Sequence, residues 1–92
     1  MAFRFEFDPE KARVNWIKHR VSFEEAASVF SDPLEVTVYD PEHSSDEDRF
    51  LSLGRSMTNR LLVVSYAERG SVIRLISARP ATSAERRHYE GL

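Results

Sequence analysis

The stretch Val72 to Glu90, VIRLISARPATSAERRHYE, constrains the fold most, because it reads as a strand, a stop and a helix in direct succession. Val72, Ile73, Leu75 and Ile76 are large apolar residues bounded by Gly70 and Pro80, the pattern of a sheet strand of roughly 6 to 8 residues. Thr82 then opens a capping box: its hydroxyl can accept from the N3 amide while Glu85, three residues on, reaches back to the Thr82 amide. A short basic helix therefore follows a buried strand and has to pack somewhere on its sheet. Arg74 and Arg79 interrupt the apolar run, and a guanidinium in a strand requires either a solvent-facing position or an anionic partner. Five positions apart, the two face opposite ways in a regular strand, and share a face only if a bulge or the Pro80 break intervenes.

The rest of the chain supplies the sheet and two more helices. Phe3, Phe5 and Phe7 alternate with Arg4 and Glu6, which predicts a half-buried opening strand. Asp8-Pro9-Glu10 starts a helix with an N-cap, a proline at N1 and an acid in the first turn, expected to run from Lys11 to about His19 with Ala12, Trp16 and His19 inward and Trp16 in the core. Ser22 and Glu25 form a second capping box before Ala26, Ala27, Val29 and Phe30, and Ser31-Asp32-Pro33 stops that helix. The cap accounts for Glu24 and Glu25 without catalysis, since adjacent helical residues point about 100° apart.

Val36 to Tyr39 reads as a strand, and the acidic DPEHSSDED segment after it as a solvated turn region. That segment has no glycine for an EF-hand loop, and His43 has no second histidine at a zinc spacing. Arg49 to Arg55 alternates, with Arg49, Leu51, Leu53 and Arg55 on one face and Phe50, Ser52 and Gly54 on the other. Leu61 to Val64 is apolar on both faces, as a central strand is. The expected fold is α+β, of order βααβββα with one extra strand: an antiparallel sheet with two N-terminal helices, one C-terminal helix, and all helices on one sheet face.

At 92 residues the chain is expected to form one domain spanning 1–92. Its zero cysteines rule out disulfides and thiolate chemistry and suit a reducing, cytoplasmic setting. No apolar run approaches the ~18 residues of a membrane helix, so no membrane partner is expected. The net charge of −2 hides an asymmetry. Residues 1–50 carry six Lys/Arg against twelve Asp/Glu, a net −6, and residues 51–92 carry seven Arg against three Glu, a net +4. Such a basic half suits a polyanion, with arginine favouring bidentate phosphate contacts; equally, those arginines can pair with the acids of the first half.

The absence of a phosphate-cradling glycine loop, a GxSxG elbow or HExxH removes nucleotide-cofactor and common hydrolase readings, and no cofactor or metal is expected. What remains is a set of cations, Lys18, Arg55, Arg60, Arg74, Arg79, Arg86 and Arg87, with His19, His88 and Tyr89 as proton-handling groups. These types suit RNA cleavage without a metal, guanidiniums stabilising charge on the phosphate while a His or Tyr assists the 2′-hydroxyl. They equally suit plain RNA binding, or a non-catalytic module that forms a DNA-binding repressor complex with a partner chain. Arg55 and Arg79, both at strand ends, make a better pair than Arg74 and Arg79.

The segments FEFDPEKARVNWIKHRVSFEEAASVFSDP, RFLSLGRS, LLVVSYAERG and VIRLISARPATSAERRHYE, in this order and across nearly the whole chain, resemble the BrnT toxin family. The joint presence of KH-x-VSFEEA, GRS and ISAR makes the match specific. The resemblance implies a RelE-like antiparallel sheet flanked by helices, and a type II toxin that cleaves RNA without metal to block translation. It implies neutralisation by a BrnA-like antitoxin of ribbon-helix-helix type, with DNA contacted only through that complex. Carried over by motif, Arg55 of GRS, Arg79 of SAR and Lys18-His19 of KH are the expected site positions, followed by Arg74 and Tyr89, with Arg60, Arg86 and Arg87 as further RNA contacts. Arg20 stands where the family commonly shows glycine after KH.

Overall fold

In the computed structural model, which describes residues 4–91, the apolar segment beginning at Leu61 is the middle of the sheet. Strands β1 (Arg4–Glu6), β2 (Val36–Tyr39), β3 (Arg49–Arg55), β4 (Leu61–Arg69) and β5 (Val72–Pro80) lie in the order β1-β5-β4-β3-β2. Helices α1 (Pro9–His19) and α2 (Phe23–Ser28) precede β2, a single 3-10 turn (Val29–Ser31) extends α2, and α3 (Ser83–Glu90) closes the chain. Strands β2 to β5 form an antiparallel meander, whereas β1 pairs parallel with β5 at the edge. Phe5 and Phe7 hold β1 there, 5.5 Å from Phe30 and 5.3 Å from Phe23 between ring centroids. Phe3, expected on the same strand, lies outside the described residues.

The local signals set the boundaries as expected. Asp8 accepts from the Glu10 amide with Pro9 at the first helical position, and Thr82 and Glu85 close a complete capping box on α3. Asn59 and Gly70 take positive φ in the β3–β4 and β4–β5 turns, the conformation tolerated best by these residue types.

Three expectations are corrected. The helices do not share one face. Val21, Phe23, Ala26 and Val29 of the α2 side pack on Leu62, Val64, Tyr66, Ile73, Leu75 and Ala78, while Ala81 and Tyr89 around α3 pack with Leu53, Leu61 and Val63 on the opposite face. β4, apolar on both sides, leaves each face requiring cover, and α3 covers the second. Trp16 is not core but 47% exposed, with the Arg20 guanidinium 5.5 Å above its ring. The inward line of α1 runs through Ala12, Asn15 and His19 instead, because Asn15 is buried and its amide both donates to the Ala78 carbonyl and accepts from the Ala78 N–H, each at 2.9 Å. β1 reaches only as far as Arg74, so the Asn15 amide supplies the strand partner that β5 lacks at Ala78. Finally, Glu25 does not complete a capping box. The Ser22 hydroxyl accepts from the Glu25 amide, but the Glu25 carboxylate turns inward, 6% exposed.

Candidate active site

The GRS motif at the end of β3 is where three elements meet. A Cβ on Gly54 would lie 2.9 Å from Val29 Cγ1 and 3.2 Å from Asp32 Oδ2, so only glycine lets the turn after α2 approach the strand this closely. In the space so kept, Asp32 Oδ2 accepts from the Arg55 amide at 2.8 Å and from the Tyr89 hydroxyl at 2.6 Å, while Oδ1 accepts from the Leu34 amide at 2.9 Å. The Arg55 guanidinium lies 5.7 Å from the centre of the Tyr89 ring, donates to the Asn59 carbonyl at 3.2 Å and stands 3.9 Å from Glu90. Partial burial pushes the Asp32 pKa up, but the Arg55 amide, the Tyr89 hydroxyl and the Leu34 amide outweigh it and hold the carboxyl below its ordinary range. Tyr89 is shifted the other way, raised by desolvation and by the Asp32 carboxylate, and is a neutral donor at physiological pH. On the outer side of this cluster, Ser28, Ser31, Asp32, Arg55, Ser56 and Met57 line an open cavity of about 370 Å³.

Arg79 stands on the same sheet face as Arg55, at the other end of α3. Arg55 pairs with Leu61 and Arg79 with Val63, two residues apart on β4, which sets them roughly 12 Å apart for strands ~4.8 Å apart with a rise of ~3.4 Å per residue. The Arg79 guanidinium makes a bidentate contact with Glu85, 2.9 Å on each arm, and this holds Glu85 down to about 2. Between α3 and β2, Val36, Val38, Leu51, Leu53, Val63, Ala84, Glu85 and His88 line an apolar cavity of about 250 Å³.

Arg74 does share the face of Arg79. The β4–β5 pairing steps from Ser65↔Ser77 to Tyr66↔Leu75, leaving Ile76 as an extra residue, and this bulge restores the parity that the five-residue spacing would break. Arg74 nevertheless pairs four β4 residues away from Arg79, roughly 13 Å along the strand, and lies 3.3 Å from Glu6. Lys18 and His19 line a different groove, with Asn15, Ile76 and Ser77 along the open edge of β5, and do not meet Tyr89. Arg60 donates through Nε to Glu25 at 2.9 Å and through Nη2 to the Arg20 carbonyl at 2.8 Å, on the α2 side of the sheet. Arg86 and Arg87 are exposed on α3 and make no ion pair among the described residues. Arg69 completes the second-half cations, 2.8 Å from Glu47.

The structure thus gathers Arg55 and Tyr89, adds Arg79 on the same face, leaves Arg74 on that face but four β4 residues further along, and leaves His19, Lys18 and Arg60 elsewhere. Sequence reasoning missed Asp32, which it read only as a helix stop, and the carboxylates of Glu25 and Glu85 as ion-pair partners. The close spacing of Ser31-Asp32-Pro33 after an apolar helix gave no hint of a contact with Tyr89, 57 residues on. Among the described residues, no group of three or more His, Cys, Asp or Glu is placed to hold a metal ion, and no helix is long and apolar enough to cross a membrane.

Comparison with known proteins agrees with the residues quoted for the resemblance. The family described as ribonuclease toxin, BrnT, of type II toxin-antitoxin system matches residues 7–85. Among solved structures, the 1.1 Å crystal structure of the Brucella abortus ribonuclease toxin BrnT superposes with a TM-score of 0.64 at 20% identity, covering 89% of this chain and 100% of that one. At that identity the likeness is one of fold. No curated protein matches the sequence. With the family match spanning most of the chain, from Phe7 in the turn before α1 to Glu85 in the first turns of α3, the protein belongs to the BrnT family of ribonuclease toxins of type II toxin–antitoxin systems.

Proposed function

We propose that this protein is a metal-independent endoribonuclease that cleaves RNA to inhibit translation and growth, acting in the cytoplasm as one domain over residues 1–92. In this reading it is neutralised by a BrnA-like ribbon-helix-helix antitoxin, and the pair touches DNA only through the antitoxin. The observation that carries the proposal is the placement of Arg55 and Arg79 on one sheet face at the two ends of α3, with the Tyr89 phenol beside Arg55. Guanidiniums that flank one surface can stabilise the charge that builds on a phosphate as a 2′-hydroxyl attacks it. Tyr89 is preferred to His19 as the group facing the 2′-hydroxyl, because Tyr89 shares the site with Arg55 and His19 does not. Arg86 and Arg87, exposed along α3, are assigned to flanking phosphates.

Purified protein should cut single-stranded RNA in the presence of EDTA, and the Arg55→Ala, Arg79→Ala double variant should lose activity by at least ~100-fold while keeping its circular dichroism spectrum. Full activity in that double variant would remove both arginines from the centre. The competing reading, a non-catalytic partner in a repressor complex, draws on the engagement of Arg79 by Glu85. It wins if the folded protein cuts no RNA, with or without ribosomes, yet still binds its partner tightly.

A further inference from the structure

We propose that Asp32 is the positioning residue of this site, fixing the Tyr89 phenol and the end of β3 to one carboxylate so that the phenol oxygen and the Arg55 guanidinium meet the scissile nucleotide as a unit. The inference rests on the endoribonuclease reading above and goes beyond it, since nothing in the motif match singles out Asp32.

Four observations converge on it. A single oxygen, Oδ2, accepts from both the Arg55 amide and the Tyr89 hydroxyl, and the other oxygen is occupied by the Leu34 amide, so the carboxylate cannot turn without breaking a contact. The strand gives up a side chain at Gly54 for the carboxylate to come this close. The three elements it joins, the turn after α2, the end of β3 and the last turn of α3, have no other common contact of this kind among the described residues. The carboxylate also borders the open, serine-lined cavity that Arg55 lines, so the guanidinium end of the unit faces space a nucleotide could enter.

The chemical consequence follows from the direction of the Tyr89 hydrogen bond. A phenol has one proton, and here that proton is committed to Asp32. The oxygen therefore offers only lone pairs to a substrate, which makes it an acceptor for a 2′-hydroxyl and not a donor to the phosphate. Tyr89 then orients the nucleophile while Arg55, beside the ring, faces the charge. Without the carboxylate the phenolic proton is free to rotate toward the phosphate, and the 2′-hydroxyl loses its acceptor.

The test compares wild type, Asp32→Asn, Tyr89→Phe and the double variant on a short single-stranded RNA, with kcat and KM measured separately and folding checked by thermal melts. Asp32→Asn is expected to lower kcat at least ~10-fold with KM changed far less, Tyr89→Phe to match it, and the double variant to be no worse than either single one. In parallel, 19F spectra of 3-fluorotyrosine protein, assigned with Tyr89→Phe, should show the Tyr89 titration moving down in Asp32→Asn, which reports the carboxylate–phenol contact in solution, while the kcat-against-KM split separates positioning from a purely structural role in the turn. Should Asp32→Asn melt below the assay temperature, Tyr89→Phe carries the test alone, because its ring still packs on Leu53 and Leu61. Wild-type kcat in either folded single variant, or losses that multiply in the double variant, overturns the role of Asp32 while leaving the endoribonuclease reading intact. A folded wild type that cuts no RNA overturns both.

Discussion

Gly54 shows how one residue type can be dictated by a neighbour remote in sequence. Its φ is not in the left-handed region, so backbone freedom is not the reason for glycine; the reason is the 2.9 Å and 3.2 Å approaches of Val29 and Asp32 to where a Cβ would stand. Gly54→Ala should therefore destabilise the protein by about 1–3 kcal/mol, read as a lower urea midpoint at unchanged m-value. It should also loosen Asp32, so activity falls more than the fraction folded; a variant as stable as wild type would mean the contact relaxes freely. Arg20 illustrates the reverse situation. It adopts φ +55° at the C-cap of α1, the left-handed conformation in which glycine is preferred, so a non-glycine residue here carries a backbone cost. Its carbonyl receives Arg60 and its guanidinium covers Trp16, two contacts that offset part of the backbone cost.

Among the elements, the joint between α2 and the β3–β4 turn is built on a buried carboxylate. The Glu25 carboxylate accepts from Arg60 Nε at 2.9 Å, Ser56 Oγ at 2.7 Å and Thr58 Oγ1 at 2.6 Å, and the Arg60 guanidinium first of all holds it down to about 2 from an ordinary 4.5. A carboxyl depressed in the folded state adds stability that is fully present above its unfolded pKa and is lost as pH falls through the folded value. Glu25 therefore contributes up to about 3 kcal/mol at neutral pH, declining between about pH 5 and pH 2. Glu85, held by Arg79 in the same range, loses its contribution over the same window. Thermal melts from pH 7 to pH 2 should show a steep acid limb that Glu25→Gln flattens while lowering the plateau at pH 7. An unchanged limb would mean the pair is as well solvated as in the unfolded chain. The Ser22 cap on the Glu25 amide was legible and the buried Glu25 carboxylate was not, because the cap is three residues away and Arg60 is thirty-five.

At the scale of the whole molecule, the basic second half is only partly available to a polyanion. Arg60, Arg69 and Arg74 are taken up by Glu25, Glu47 and Glu6 of the acidic half, Arg79 by Glu85 and Arg55 by Glu90, which leaves Arg86 and Arg87 as the cations of the second half without an ion pair among the described residues. If these two meet RNA phosphates, replacing both by Ala should reduce the slope of log Kd against log salt by roughly 1.4, at ~0.7 per single-strand contact. An unchanged slope would place the RNA elsewhere. The sequence by itself determined where the elements begin and end: the Asp8 and Thr82 caps, the Gly70 turn, the Pro80 stop and the doubly apolar β4 all act over a few residues, and each stands where its local chemistry puts it. It determined the family as well, through motifs that are contiguous. Only the tertiary structure decided that α3 covers the second face, that a bulge at Ile76 turns Arg74 and Arg79 the same way, and that Asp32 meets Tyr89. Those outcomes are set by pairing register, by apolar packing and by a hydrogen bond between residues 57 apart, none of which a local pattern specifies.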